Sequence, residues 1–179
     1  MKSRSLSAAL VGAVLAISTA WPGSAQDRCK MVWKVPTANT TYITQQQVLD
    51  VGDIPDHQLR IFEQKRVFPK DKPNCEGLKR SEQWFRGVSD YVDGNGSFSG
   101  YTVLVLENGD KIFGRASGTT ETTADVNGSK TLLVATVVTY TGGTGRYQGI
   151  TGIQRDSIVL DLQKSTSQAQ SNAEYWLER

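Results

Sequence analysis

Residues 101–117 read YTVLVLENGDKIFGRAS. Two strand-like runs, Tyr101–Glu107 and Lys111–Ser117, flank the dipeptide Asn108-Gly109. Asn and Gly reach positive φ at little cost, so the spacing predicts a hairpin with a type I′ turn, whose twist matches that of paired strands.

The pattern continues outward in both directions. Downstream, TLLVATVVTY from Thr131 is too rich in β-branched residues for a comfortable helix, so Lys130–Tyr140 is expected to be a strand. Arg146–Leu162 and Ala173–Leu177 follow as the last two strands, with the polar stretch Gln163–Asn172 as their connection. Upstream, Asp93-Gly94-Asn95-Gly96 marks a turn. Before it, Ser81–Val92 puts Phe85, Gly87, Ser89 and Tyr91 on one face and Glu82, Trp84, Arg86 and Val88 on the other. His57–Phe68 sets Leu59 and Ile61 against Arg60 and Gln64, and Thr40–Val51 supplies the first strand. No segment carries a convincing helical apolar stripe.

Eight strands with short turns fit a sandwich or an up-and-down barrel. Closure removes exposed edges, and eight strands enclose room for one small ligand. The expected fold is therefore all-β, an eight-stranded antiparallel barrel over residues 40–179, preceded by an N-terminal segment over 26–39. The strand at 130–140 is apolar on both faces. If one face fills the barrel, Leu132, Val134 and Val138 on the other need cover, from a symmetry mate in a homo-oligomer or from Met31–Val35.

Lys2 and Arg4 precede an apolar run from Leu6 to Ala20, and Gly23-Ser24-Ala25 offers the small side chains a signal peptidase needs. Residues 1–25 thus read as an export signal cleaved after Ala25, which places the mature protein in the periplasm or outside the cell. No transmembrane segment is expected, because the run is too short and nothing later is apolar enough. The chain carries 20 basic and 18 acidic residues, and the leader's two basic residues account for the difference. A balanced mature chain lacks the positive field that nucleic-acid binding uses, so no nucleic-acid partner is expected. Cys29 and Cys75 both remain after cleavage, and such a pair in an exported chain reads first as a disulfide.

Conventional catalytic and metal sets are thin. His57 is the sole histidine, and the adjacent Asp56 would point to the opposite face of a strand, so a serine triad is disfavoured. One histidine and two bridged cysteines cannot build a zinc site. Asp90, Asp93, Asn95 and Gly96 loosely resemble calcium-ligand spacing but lack the closing acid, and they suit a turn better. No metal and no cofactor is expected. Asn39, Asn95 and Asn127 begin Asn-x-Ser/Thr triplets, which matter only in a host that glycosylates. The candidate cavity lining is aromatic: Phe85, Tyr91, Tyr101 and Tyr175 at positions expected to face inward.

The glycine-rich stretch Tyr140-Thr141-Gly142-Gly143-Thr144-Gly145-Arg146-Tyr147-Gln148-Gly149 continues to Ile150-Thr151-Gly152. It resembles the Gly-Gly-Thr/Ser-Gly-x-Phe/Tyr-x-Gly-x-x-Gly signature of the allene oxide cyclase and dirigent superfamily. The resemblance extends over Thr40 to Leu177, with specific residues matched in this stretch alone. Gly142, Gly143 and Gly145 permit positive φ, and Gly149 and Gly152 allow close backbone approach. A phosphate loop is disfavoured, since no helix or Lys-Ser/Thr pair follows. The resemblance implies a trimer of eight-stranded barrels whose hydrophobic cavity shapes its guest, a fatty-acid epoxide in the cyclases and phenoxy radicals in dirigent proteins. The cyclases use an acid early in the barrel, whereas Thr41–Gln47 has none. The expected function is binding of a small hydrophobic or aromatic molecule in the cavity. The alternative is an isomerase or cyclase, or a dirigent-type stereo-directing protein, acting on such a molecule there.

Overall fold

A computed structural model describes residues 27–35, 41–124, 130–161 and 166–178; the export signal and its cleavage site lie outside them. The strands are β1 (Cys29–Val35), β2 (Thr41–Asp50), β3 (His57–Val67), β4 (Arg80–Val92), β5 (Asn95–Leu106), β6 (Lys111–Ala124), β7 (Lys130–Gly143), β8 (Ile150–Asp161) and β9 (Thr166–Leu177). All pair antiparallel in one sheet of order β1-β9-β8-β7-β6-β5-β4-β3-β2. The chain is all-β, with nine strands where eight are expected.

The added strand is β1. The segment over 26–39 contributes it to the sheet, where Cys29 lies opposite Tyr175 and Val35 opposite Ala169. Two other expectations change. Gly145–Tyr147 forms a single 3₁₀ turn, so β8 begins only at Ile150. The polar stretch expected to connect the last strands instead supplies the first half of β9 from Thr166, because alternation needs only one buried face and Ser171 and Ala173 provide it.

The hairpin chemistry also differs from expectation. The type I′ signature sits at Asp93-Gly94, where both residues have positive φ (47° and 76°) between the paired Val92 and Asn95. At Asn108-Gly109 only Gly109 is left-handed, with φ 87°. The Leu106 N–H donates to the Asp110 carbonyl at 2.8 Å, closing a three-residue loop. Asn108 spends its side chain on Asp110, accepting that residue's backbone N–H at 3.0 Å, and so stays out of the left-handed region.

The sheet is strongly curled. In a flat sheet β2 and β8, six positions apart, would be separated by about 29 Å at ~4.8 Å per strand. Ile43 of β2 and Leu160 of β8 instead line one interior cavity. The curl is held from the side. Arg80 of β4 lies 4.5 Å over the Trp33 ring of β1 and 4.3 Å over the Phe68 ring beyond β3. The Cys29–Cys75 disulfide, with 46 residues of separation, ties β1 to the loop before β4. The backbone ladder does not close: among the described residues no pairing joins the edge strands β1 and β2. The expected closed barrel is thus an open, curled sheet drawn round by side chains and a disulfide.

One end is packed solid. Leu104, Leu106, Ile112, Tyr140, Tyr147, Ile150 and Tyr175 form its core with Phe68 and Cys29. The glycine signature belongs to this end. Gly145 has φ 55°, and a Cβ there would run into the Asp110 carboxylate. Gly143 is not left-handed; its Cβ would lie 2.7 Å from that of Tyr147, so it is small to let the fully buried Tyr147 dock.

Facing on β7 is the reverse of that expected, and on β3 the polar side is the inner one. Leu132, Val134 and Val138 point into the curl, while Leu133 and Val137 are the exposed face of β7. On β3, Arg60 and Gln64 point inward, and Leu59 and Ile61 outward.

Candidate ligand cavity

The half of the curl away from the packed end holds a half-open cavity of about 240 Å³. Phe62 of β3, Phe85 of β4 and Phe98 of β5 form one wall, with ring centroids 5.5 and 5.9 Å apart, the second pair edge to face. Ile43, Leu132, Val134, Val138 and Ile158 complete the apolar lining. A polar belt shares the space: Arg60, Arg66, Gln64, Ser89, Thr136 and Asp156. The Tyr91 hydroxyl meets Thr120 Oγ1 at 3.0 Å, and burial pushes its ionisation up. Burial also lowers the affinity of Arg66 for its proton, which the negative charge of Asp156 counters. Gln154 Nε2 donates to Asp156 Oδ1 at 2.8 Å, and Gln154 Oε1 accepts from the Tyr140 hydroxyl at 3.1 Å.

Of the four aromatic residues expected to line a cavity, two do. Phe85 and Tyr91 face it. Tyr101 stands on the outward face, 60% exposed, because β5 turns its even-numbered residues inward. Tyr175 is buried in the packed end, edge to face with Tyr140 at 6.1 Å, and its hydroxyl donates to Glu76. Tyr147 donates to the same carboxylate oxygen at 3.2 Å. Burial raises the pKa of both phenols. This cluster anchors the 69–79 loop across the end of the curl.

His57 lies in neither place. Its Nδ1 meets Asp53 Oδ1 at 2.6 Å and its Nε2 meets Asp90 Oδ1 at 2.9 Å, so it clamps the β2–β3 turn to β4. Asp56, its neighbour in sequence, is not a partner in the clamp. Both ring nitrogens can donate only in the imidazolium, and the hydrogen bonds to Asp90 and then Asp53 raise the His57 pKa. A raised folded-state pKa stabilises the protein below the unfolded value of about 6.5, and the gain is lost as pH climbs through the folded value. His57→Gln is therefore expected to lower the melting temperature more at pH 5.5 than at pH 9. Equal losses at both pH values would show that the cation does not matter.

The other side chains singled out in the sequence have local roles. Asn95 donates to the Val92 and Asp93 carbonyls and accepts from Thr122 N–H, which is turn chemistry. Asp93 pairs with Lys130 at 3.1 Å. Asn39 and Asn127 lie outside the described residues. No helix among the described residues is long and apolar enough to cross a membrane.

Sequence reasoning passed over Arg60, Arg66 and Asp156 as cavity residues. Their signal was alternation with Phe62 and Gln64 on β3 and with Ile158 on β8, masked because charged residues normally mark the outer face. No family model, curated protein or solved structure matches the chain.

Proposed function

We propose that this chain is an exported protein, periplasmic or secreted, that binds one small hydrophobic or aromatic molecule inside its curled sheet. We place it as an allene oxide cyclase/dirigent-like protein, on the glycine signature between β7 and β8. The disulfide supports an oxidising compartment. The observation that carries the binding reading is the interior cavity of about 240 Å³ walled by three contacting phenylalanine rings. Ligand pockets commonly run ~300–1,000 Å³, and an apolar cavity of ~150 Å³ takes benzene. The guest is accordingly about the size of a single substituted ring. Native mass spectrometry of the purified protein is expected to show one such molecule bound. A protein that emerges empty and takes up no single-ring compound would overturn the reading.

Chemistry in the same cavity is the second reading, and Asp156 favours it by placing a carboxylate where the early strands offer none. Turnover of a bound guest that Asp156→Asn abolishes would mark an isomerase or cyclase.

We also propose a homo-oligomer, a trimer on the family pattern. The outward face carries Leu49, Ile61, Val88 and Val137, all at least 43% exposed. Soluble monomers rarely leave contiguous apolar patches beyond a few hundred Å² uncovered. Sedimentation equilibrium should return a multiple of the chain mass, and a monomer at micromolar concentration would sink the proposal.

A further inference from the structure

From the same cavity, and resting on its reading as a ligand site, we infer that the guest is a monocarboxylate whose carboxylate is held by Arg60 and Ser89. The two residues are direct cross-strand partners on β3 and β4, and both face the cavity. Residues opposed in this way bring their Cβ atoms within ~5.5 Å, close enough to share one small group. Ser89 is only 3% exposed. Its Oγ and the Arg60 Nε are buried without a hydrogen-bond partner. Elsewhere on the same guanidinium, Arg60 donates to Gln58 Oε1 at 2.7 Å, so the side chain is held while its Nε–H stays open.

Two adjacent buried donors with nothing to donate to are costly, more so when one is charged, and a guanidinium cannot escape by losing its proton. A group that only accepts, and carries negative charge, relieves both at once. The open donors are one charged Nε–H, from Arg60, and one hydroxyl, from Ser89. One cationic and one neutral donor match the two oxygens of a carboxylate. The phenylalanine wall takes the apolar remainder, so the class is a single-ring aromatic acid or a compact aliphatic one.

Isothermal titration calorimetry of the mature protein at pH 7 with benzoate and with benzyl alcohol tests this, since the two share a ring and differ in charge. Benzoate is expected to bind about tenfold or more tightly, the scale of a charge-assisted hydrogen bond. Ser89→Ala should cost benzoate about tenfold, and Arg60→Met should erase the preference while benzyl alcohol still binds. Equal affinities in the unaltered protein, or a preference that survives Arg60→Met, overturn the carboxylate site and leave the cavity reading standing. If Arg60→Met binds neither compound, Ser89→Ala decides, and an unchanged benzoate affinity there overturns the proposal. An unaltered protein that binds neither overturns both.

Discussion

Asp71→Asn is expected to destabilise the protein by about 3–5 kcal/mol, because it leaves a buried guanidinium without its counter-charge. Arg80 and Asp71 have side chains only 7% and 8% exposed. The pair is bidentate, Nε to Oδ2 at 2.6 Å and one terminal nitrogen to Oδ1 at 2.8 Å, and the Arg80 backbone N–H donates to the same carboxylate at 3.1 Å. Trp33 and Phe68 stack on the guanidinium, so little water can replace the lost oxygen. For a domain of this size that loss lowers the melting temperature by on the order of 10 °C. The paired replacement Arg80→Met with Asp71→Leu should recover much of it, since the penalty belongs to the orphaned charge rather than to the absence of a salt bridge. A single variant that melts within a degree or two of the parent would show that the clamp is not what draws the sheet round.

Replacing Cys29 and Cys75 together by serine is expected to cost about 4 kcal/mol, from the chain entropy released when a loop of this length is opened. The mass of the intact protein should rise by two hydrogens on reduction. Denaturant titration of the serine variant reads the loss directly. A loss below about 1 kcal/mol would mean that the β1–β9 ladder and the Arg80 stack hold the first strand unaided.

Much of the strand layout was legible, because alternation on β4 and the turn residues after it are local properties. Facing was not. Inward positions on β5 and β6 include Gly100, Gly114, Ala116 and Gly118, whose small side chains give no hydrophobic signal, so the parity of Tyr101 could not be fixed. On β3 the cavity takes Arg60 and Gln64 inward, against the ordinary rule that apolar residues mark the core, and Ile61 faces out. The clamps were hidden for another reason. Asp53, His57 and Asp90 meet from one turn and two strands, and Trp33 meets Arg80 across the curl, and a single sequence carries no record of such encounters. The glycine signature was readable in part as backbone geometry: Gly142 and Gly145 take positive φ and Gly143 does not, while a Cβ at Gly152 would run into the Glu174 carbonyl.

The partnership of β1 with β9 sets an order of assembly. From β2 to β9 each strand pairs with its neighbour in sequence, so those ladders can zip as successive hairpins. Cys29 must wait for Tyr175, almost the whole length of the chain away. During synthesis the first strand therefore has no sheet to join until the last one exists, and this final step is the slow, entropically costly one. The disulfide shortens the wait. Once closed, it holds Cys29 beside Glu76, the residue that the Tyr175 hydroxyl reaches when β9 arrives. A chain that stops before β9 would leave β1 and β8 with bare edges together, and such edges are what strand-to-strand aggregation grows from.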